Sequence, residues 1–155
     1  MKILVFSDTH GDFYSLKKAV ERKPGADVII HCGDGGNEAE ELKLMYPDKA
    51  VFAVRGNCDF SCNLPVEQEI TLEGKKIFIT HGHRYYVKMG YQNLYYAACE
   101  KHADIVCFGH THIPAEEYKD GCYLINPGSC RGTHATFGYI EITPKGVLTN
   151  ILRVI

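Results

Sequence analysis

The sequence predicts an α/β fold of two packed mixed β-sheets, a β-sandwich flanked by α-helices, in a single domain over residues 1–155. Three observations carry this expectation. The first half alternates short apolar, β-prone runs with segments whose apolar residues recur at helical spacing, as in parallel strands joined by helices. The second half holds paired short runs around Glu73-Gly74, Asp120-Gly121 and Lys145-Gly146, which are hairpin signals. Finally, 155 residues with 45% hydrophobic content suffice for one core. A chain of this size buries roughly 70% of its unfolded surface without a disulfide or a structural metal.

The run from Ile3 to Ser7 is the first strand. Phe13 to Arg22 carries Leu16, Ala19 and Val20 at helical spacing, and Pro24-Gly25 stops that helix. Asp27 to Cys32 is a second buried strand. An acidic helix follows from about Asn37, read as its N-cap, to Met45. Val51 to Val54 is the third strand, and these units imply parallel pairing. Glu67 to Leu72 and Lys75 to Thr80 form a hairpin. Gly90 to His102 is a helix with Leu94, Ala97 and Ala98 as its stripe. Ile105 to Phe108 is another buried strand, and shorter ones follow near Glu116 to Tyr118, Cys122 to Ile125, Phe137 to Ile142 and Val147 to Val154.

Bulk properties exclude several classes. A net charge of -2 offers no extended nucleic-acid surface and no attraction to an anionic membrane. The N-terminal apolar run is too short for a signal peptide or a membrane span, so a cytoplasmic location is expected. Seven cysteines leave at least one thiol unpaired, and no Cys-x-x-Cys pair appears. Cys32, Cys99 and Cys107 sit in apolar runs and read as small core residues. A reducing compartment follows.

The chemistry lies where the strands end. Asp8-Thr9-His10, Gly33-Asp34, Gly56-Asn57-Cys58-Asp59, His81-Gly82-His83 and Gly109-His110-Thr111-His112 each follow an apolar run. If extended backbone persists past Ser7, Asp8 and His10 point to one side, and so do His110 and His112 after Phe108. Open α/β sheets gather ligands outside the carboxyl ends of their strands. The expected site therefore unites Asp8, His10, Asp34, Asn57, His81, His110 and His112. That set exceeds the needs of one tetrahedral zinc ion and suits two divalent ions bridged by a carboxylate, expected to be Asp34. Carboxylate, amide and imidazole donors fit Mn2+ first, with Fe, Zn, Ni or Co as alternatives.

These motifs, in this order over roughly residues 1 to 130, resemble the calcineurin-like metallophosphoesterase superfamily. Asn126-Pro127-Gly128-Ser129 resembles its small bacterial and archaeal phosphodiesterase branch. The resemblance implies a metallophosphoesterase-like sandwich and a phosphodiesterase acting through a metal-bridging hydroxide in a two-metal site. It places Asp8, His10, Asp34 and His112 on one ion and Asp34, Asn57, His81 and His110 on the other, with His10 and Asn57 as catalytic residues. One position departs from the larger members: Cys58 stands where they carry a histidine that helps the leaving group. His10 or a metal-bound water is then the expected proton donor, and substrates with good leaving groups are favoured. A non-catalytic protein-binding scaffold, as in the retromer subunit of this superfamily, and a phosphomonoesterase are the competing readings.

Other polar residues divide between two roles. His83 is a candidate for substrate contact or ligand support, and Arg131 for holding a substrate phosphate, although a surface arginine fits that position equally well. His31 reads as a satisfied core histidine, His102 as a helix-end surface residue, and Asp59 as a cap or an orienting group. The absence of a long insertion predicts an open pocket for a small phosphodiester or nucleotide-like substrate. Tyr85, Tyr86, Tyr91, Tyr95 and Tyr96 imply core packing or a homodimer surface rather than base stacking.

Overall fold

The computed structural model describes residues 1–155. The chain runs β1 (Lys2–Phe6), α1 (Phe13–Arg22), β2 (Val28–His31), α2 (Gly36–Met45), β3 (Ala50–Ala53), β4 (Glu67–Leu72) and β5 (Lys75–Thr80). Two short 3-10 turns, His83–Tyr85 and Val87–Met89, lead into α3 (Gln92–Glu100). Then come β6 (Ile105–Cys107), β7 (Ala115–Lys119), β8 (Cys122–Asn126), β9 (Thr136–Thr143) and β10 (Gly146–Arg153). No helix is long and apolar enough to cross a membrane.

The strands form two five-stranded mixed sheets, β10-β9-β1-β2-β3 and β4-β5-β6-β8-β7. The expected β-sandwich is present. Its sheets do not divide the sequence in half, however: β9 and β10 return to the first sheet, where β9 lies antiparallel to β1 with Ile3 opposite Ile140. Side-chain alternation then separates the layers. Ile3, Val5, Val28 and Ile30 face Ile77, Ile79, Ile105 and Ile125 in the core between the sheets. Leu4, Phe6 and Ile29 point the other way and pack on Leu16, Ala19, Val20 and Leu42 from α1 and α2. Phe78, Val106 and Phe108 do the same against Leu94 and Ala98 of α3. Each buried Val, Leu, Ile or Phe among them stabilises the fold by about 1.5–3 kcal/mol.

Three local expectations are corrected. Asn37 is not the N-cap of α2; the helix starts one residue earlier, after Gly35. Gly35 has no side chain to cap with, and the carboxylate of Asp59 does that work from another loop. Its oxygens accept the N–H groups of Gly36 (3.0 Å) and Asp34 (2.8 Å). The third helix is shorter than expected, with Gly90 and His102 outside it. Cys99 is exposed, whereas Cys32 and Cys107 lie in the core. All seven cysteines are free. Among the tyrosines, Tyr85 and Tyr91 pack on Phe78 and Phe108, while Tyr86 and Tyr96 are exposed.

Candidate metal centre

The loops after β1, β2, β5 and β6 meet at one end of the sandwich. The N–H of Asp8 donates to the Gly33 carbonyl (2.9 Å) and that of His10 to the Asp34 carbonyl (3.0 Å), joining the first two loops. The Gly109 N–H donates to His81 O (3.0 Å), joining the others. The His110 N–H donates to Asp8 Oδ2 (3.0 Å) and so ties one sheet to the other.

Extended backbone does not carry the ligands into the site, contrary to the sequence expectation. Asp8 (φ 54°), His10 (φ 44°), Asp34 (φ 56°), His110 (φ 70°) and His112 (φ 61°) all adopt the left-handed conformation. Asp and His tolerate this region better than most residues, at a cost of about 1–2 kcal/mol each. Strain of this kind concentrates at functional sites. Glycines make the close approach possible. A Cβ on Gly56 would collide with the Asp34 carboxylate, and one on Gly109 would meet Ser7 and Asp8.

Each buried carboxylate has one oxygen occupied and one turned inward. Asp8 Oδ2 accepts from the Ser7 hydroxyl (2.6 Å) and the His110 N–H, while Oδ1 has no hydrogen-bond partner. That free oxygen lies 3.1 Å from His112 Nε2, 3.7 Å from His10 Nε2 and 3.8 Å from His81 Nε2. Asp34 Oδ1 accepts the Cys58 N–H (2.8 Å). Its Oδ2 faces His81 Nε2 at 3.3 Å and His10 Nε2 at 3.8 Å. The Nε2 atoms of His10 and His112 are 3.3 Å apart.

Asp8, His10, Asp34, His81 and His112 are thus brought together. Two groups, Asp8-His10-His112 and Asp8-Asp34-His81, have ligand atoms within 4.8 Å of one another. Cys58 Sγ joins His10 and Asp34 in a third. The buried, unpartnered Asp8 Oδ1 and His81 Nε2 are costly without a partner, and a cation would satisfy both. This donor set fits divalent metal. His110 stands further out, its ring 5.0 Å from that of His81. Asn57 is exposed at the edge, and its amide donates to Cys58 Sγ (3.6 Å).

His83 flanks the cluster with its ring 5.4 Å from His81, and its Nδ1 is unpartnered. Arg131 is exposed near Asp12 and lines neither cavity beside the cluster. His31 is fully buried, as expected of a core histidine, and also supports the site. Its Nδ1 accepts the Gly33 N–H (3.2 Å), so Nε2–H donates to Thr9 Oγ1 (3.1 Å). Asn126, which opens the Asn-Pro-Gly-Ser motif, is a support to which the sequence assigned no role. Its amide donates to Gly109 O (3.1 Å) and Thr111 Oγ1 (2.9 Å), fixing the loop that bears His110 and His112. The Ser129 hydroxyl donates to the Asp8 carbonyl (2.7 Å), so the Asn-Pro-Gly-Ser turn braces the first ligand loop.

Electrostatics follow from burial and these contacts. Burial disfavours charge on Asp34, but the nearby His81 ring and the Cys58 N–H outweigh it and hold the carboxyl well below its usual range. Burial likewise opposes protonation of His81, yet Asp34, Asp8 and the Cys32 carbonyl raise its pKa. Burial, with the charges of His81 and Lys88, lowers His110 to about 4. Burial and the nearby Asp34 carboxylate push the Cys58 thiol up, so it stays protonated at neutral pH.

The chain is similar to known proteins. The chain is 41% identical over 133 residues to the probable metallophosphoesterase YsnB of Bacillus subtilis, covering 84% of this chain and 76% of that one. It is 29% identical to the phosphodiesterase YfcE of Escherichia coli K12, covering 91% and 88%. A solved Streptococcus pneumoniae structure described as a predicted phosphoesterase superposes with a TM-score of 0.82 at 30% identity, covering 99% of this chain and 89% of that one. Residues 1–144 match the calcineurin-like phosphoesterase superfamily domain, and the chain belongs to that family.

Proposed function

We propose that this metal-dependent phosphoesterase hydrolyses phosphodiesters with two divalent ions held by Asp8, His10, Asp34 and His112 on one side and Asp34, Asn57, His81 and His110 on the other. The observation that carries this reading is the single oxygen Asp34 Oδ2, which faces His10 and His81 together. Divalent ions would supply Lewis acidity, making water a nucleophile at neutral pH and offsetting charge on the phosphoryl group. The protein's share is positioning. Asp8 and Asp34 are ordered by Ser7, His110 and Cys58, and His81 is locked by Cys32. His10, partly exposed beside both carboxylates, would hold the first ion, water at the site would protonate the leaving oxygen, and Asn57 lines the cavity at the second position.

The mixed oxygen and imidazole donors suit Mn2+, with Fe, Zn, Ni or Co as substitutes. The name of YfcE favours a diester over a monoester. A full set of ligand-competent side chains favours an enzyme over a scaffold. Seven free thiols favour the cytosol.

Metal analysis of wild type and Asp34→Asn, with turnover on bis(p-nitrophenyl) phosphate and p-nitrophenyl phosphate, tests the reading. The expected result is two ions per wild-type chain, preference for the diester, and loss of metal and turnover in the variant. An active Asp34→Asn variant, or full activity with one ion per chain, would overturn it.

A further inference from the structure

Two cavities flank the metal cluster. One, of about 390 Å³, is lined by His10, Asp34, Cys58 and Glu38 among others. The other, of about 530 Å³, lies on the Asn57 side and is lined by Arg55, His83, Arg84 and Phe60. Both volumes fall in the usual range for small-molecule sites, roughly 300–1,000 Å³. Phe60 lines both cavities and is 89% exposed, so its ring is free to receive another ring. Two arginines converge on the larger cavity in a chain whose net charge is -2.

The nearby acids direct their oxygens to other donors. Asp59 lines the same cavity, but its oxygens accept the N–H groups of Asp34, Gly36 and Gly56. Glu67 is held by the Tyr85 hydroxyl (2.5 Å). Planar guanidinium groups without a carboxylate partner match a phosphate, which they bind through paired hydrogen bonds. An exposed aromatic ring beside them suits a base, because stacking on such a face tolerates any planar ring.

We propose that the Arg55–Arg84–His83–Phe60 cavity is a subsite for a second anionic group, so that the favoured substrates are phosphodiesters in which one alcohol is a nucleoside-like unit bearing a further phosphate. The inference rests on the phosphodiesterase reading of the cluster. The scissile phosphoryl group lies at the metal cluster, the simpler substituent in the smaller cavity, and the phosphorylated unit against Phe60 with its phosphate on the arginines.

The test compares KM for the p-nitrophenyl ester of thymidine 5′-phosphate with KM for the same ester carrying a 3′-phosphate, on metal-loaded protein. In the wild type the second phosphate should lower KM about tenfold with little change in kcat. Arg55→Ala and Arg84→Ala should each shrink that ratio, and the double variant should bring it near one. Lys145→Ala, which removes a cation in the β9–β10 turn, should leave the ratio unchanged. No preference in the wild type, or an equal preference in the double variant, would overturn the subsite while leaving the phosphodiesterase reading intact. If no ester is cleaved, that reading fails. Calorimetric binding of thymidine 3′,5′-bisphosphate to wild type and the double variant then decides the subsite: weaker binding in the variant supports it and equal binding overturns it.

Discussion

His81 Nδ1 lies 2.8 Å from the carbonyl oxygen of Cys32. A carbonyl only accepts, so Nδ1 carries the hydrogen and Nε2 is the free ligand nitrogen facing Asp34. One backbone contact from β2 thereby sets the tautomer and orientation of a ligand delivered by β5. His81→Gln cannot reproduce both functions. Because loss of an outer partner alone costs about 10- to 100-fold in metal affinity, loss of this ligand should cost at least about 100-fold. Competition with a chelating indicator measures it, and near-wild-type affinity would remove His81 from the ligand set.

Metal binding should release a proton near neutral pH, with His81 as its source. In the metal-free protein the neighbouring carboxylates raise the His81 pKa, Asp34 is already ionised, and His110, near 4, is already neutral. Coordination needs neutral imidazole, so affinity should fall and proton release rise as the pH drops toward and below the raised His81 value. Calorimetry in buffers of different ionisation enthalpy reads the release directly. Asp34→Asn lowers the His81 pKa and should diminish the release at the same pH.

Two glycines are required by contact. A Cβ at Gly109 would lie 2.6 Å from Asp8 Oδ2, and one at Gly56 would lie 2.6 Å from the Asp34 backbone nitrogen. Gly109→Ala and Gly56→Ala should each destabilise the chain by about 1–3 kcal/mol, as overpacking does, and should weaken metal binding by moving a carboxylate. Gly25→Ala, where a Cβ meets nothing within 4 Å, is the control and should stay within about 0.5 kcal/mol of wild type. Urea denaturation of the metal-free proteins separates the stability effect from the metal effect.

The strands, the hairpin turns and the ligand loops were legible in the sequence because each has a local cause. Ile3 to Phe6 is apolar throughout since β1 is covered on both faces, and Asp8 marks where polar side chains begin, although it too is buried. What escaped has a distant cause. The pairing of β9 with β1 joins residues such as Ile3 and Ile140, and no local pattern specifies it. The start of α2 moved because Asp59, on the loop after β3, reaches back to Gly36. The left-handed turns at Asp8, His10 and Asp34 are imposed by loops locked together through Gly33, Asp34 and His110. Phe60, Arg55 and Arg84 belong to no local motif, and only the fold places them around one cavity.

Acid should weaken the metal-free fold partly through His31. Burial lowers its pKa from 6.5 to about 4, despite the opposing charges of Asp8 and Asp59. Between those values the unfolded chain takes up a proton that the folded chain refuses, so stability falls as pH drops through this window and levels off below it. The loss is at most about 3 kcal/mol. His81, with a raised pKa, acts in the opposite sense: its stabilisation is full at low pH and fades as pH rises through its folded value. The informative quantity is therefore the difference between wild type and His31→Gln. The variant should lose the His31 contribution to the slope between pH 6.5 and 4. Parallel curves for the two proteins would show that His31 does not titrate in this way.

Cys58 offers the sharpest test of how the leaving group is protonated. Its N–H holds Asp34 Oδ1, and its thiol, within 4.8 Å of the ligand atoms of His10 and Asp34, stays protonated at neutral pH. A thiol with a raised pKa is a poor acid for an alkoxide, whereas imidazole titrates near neutrality. Cys58→His keeps the backbone hydrogen bond to Asp34 and adds an imidazole at the same edge of the cluster. Turnover of phosphodiesters with alkyl leaving groups should rise about 100-fold, the lower end of what a positioned general acid contributes. Nitrophenyl esters, whose leaving group needs no proton, should change little. The rate should thus depend less steeply on leaving-group pKa in the variant. An equal change for both ester classes would mean that Cys58 acts through the placement of Asp34 instead.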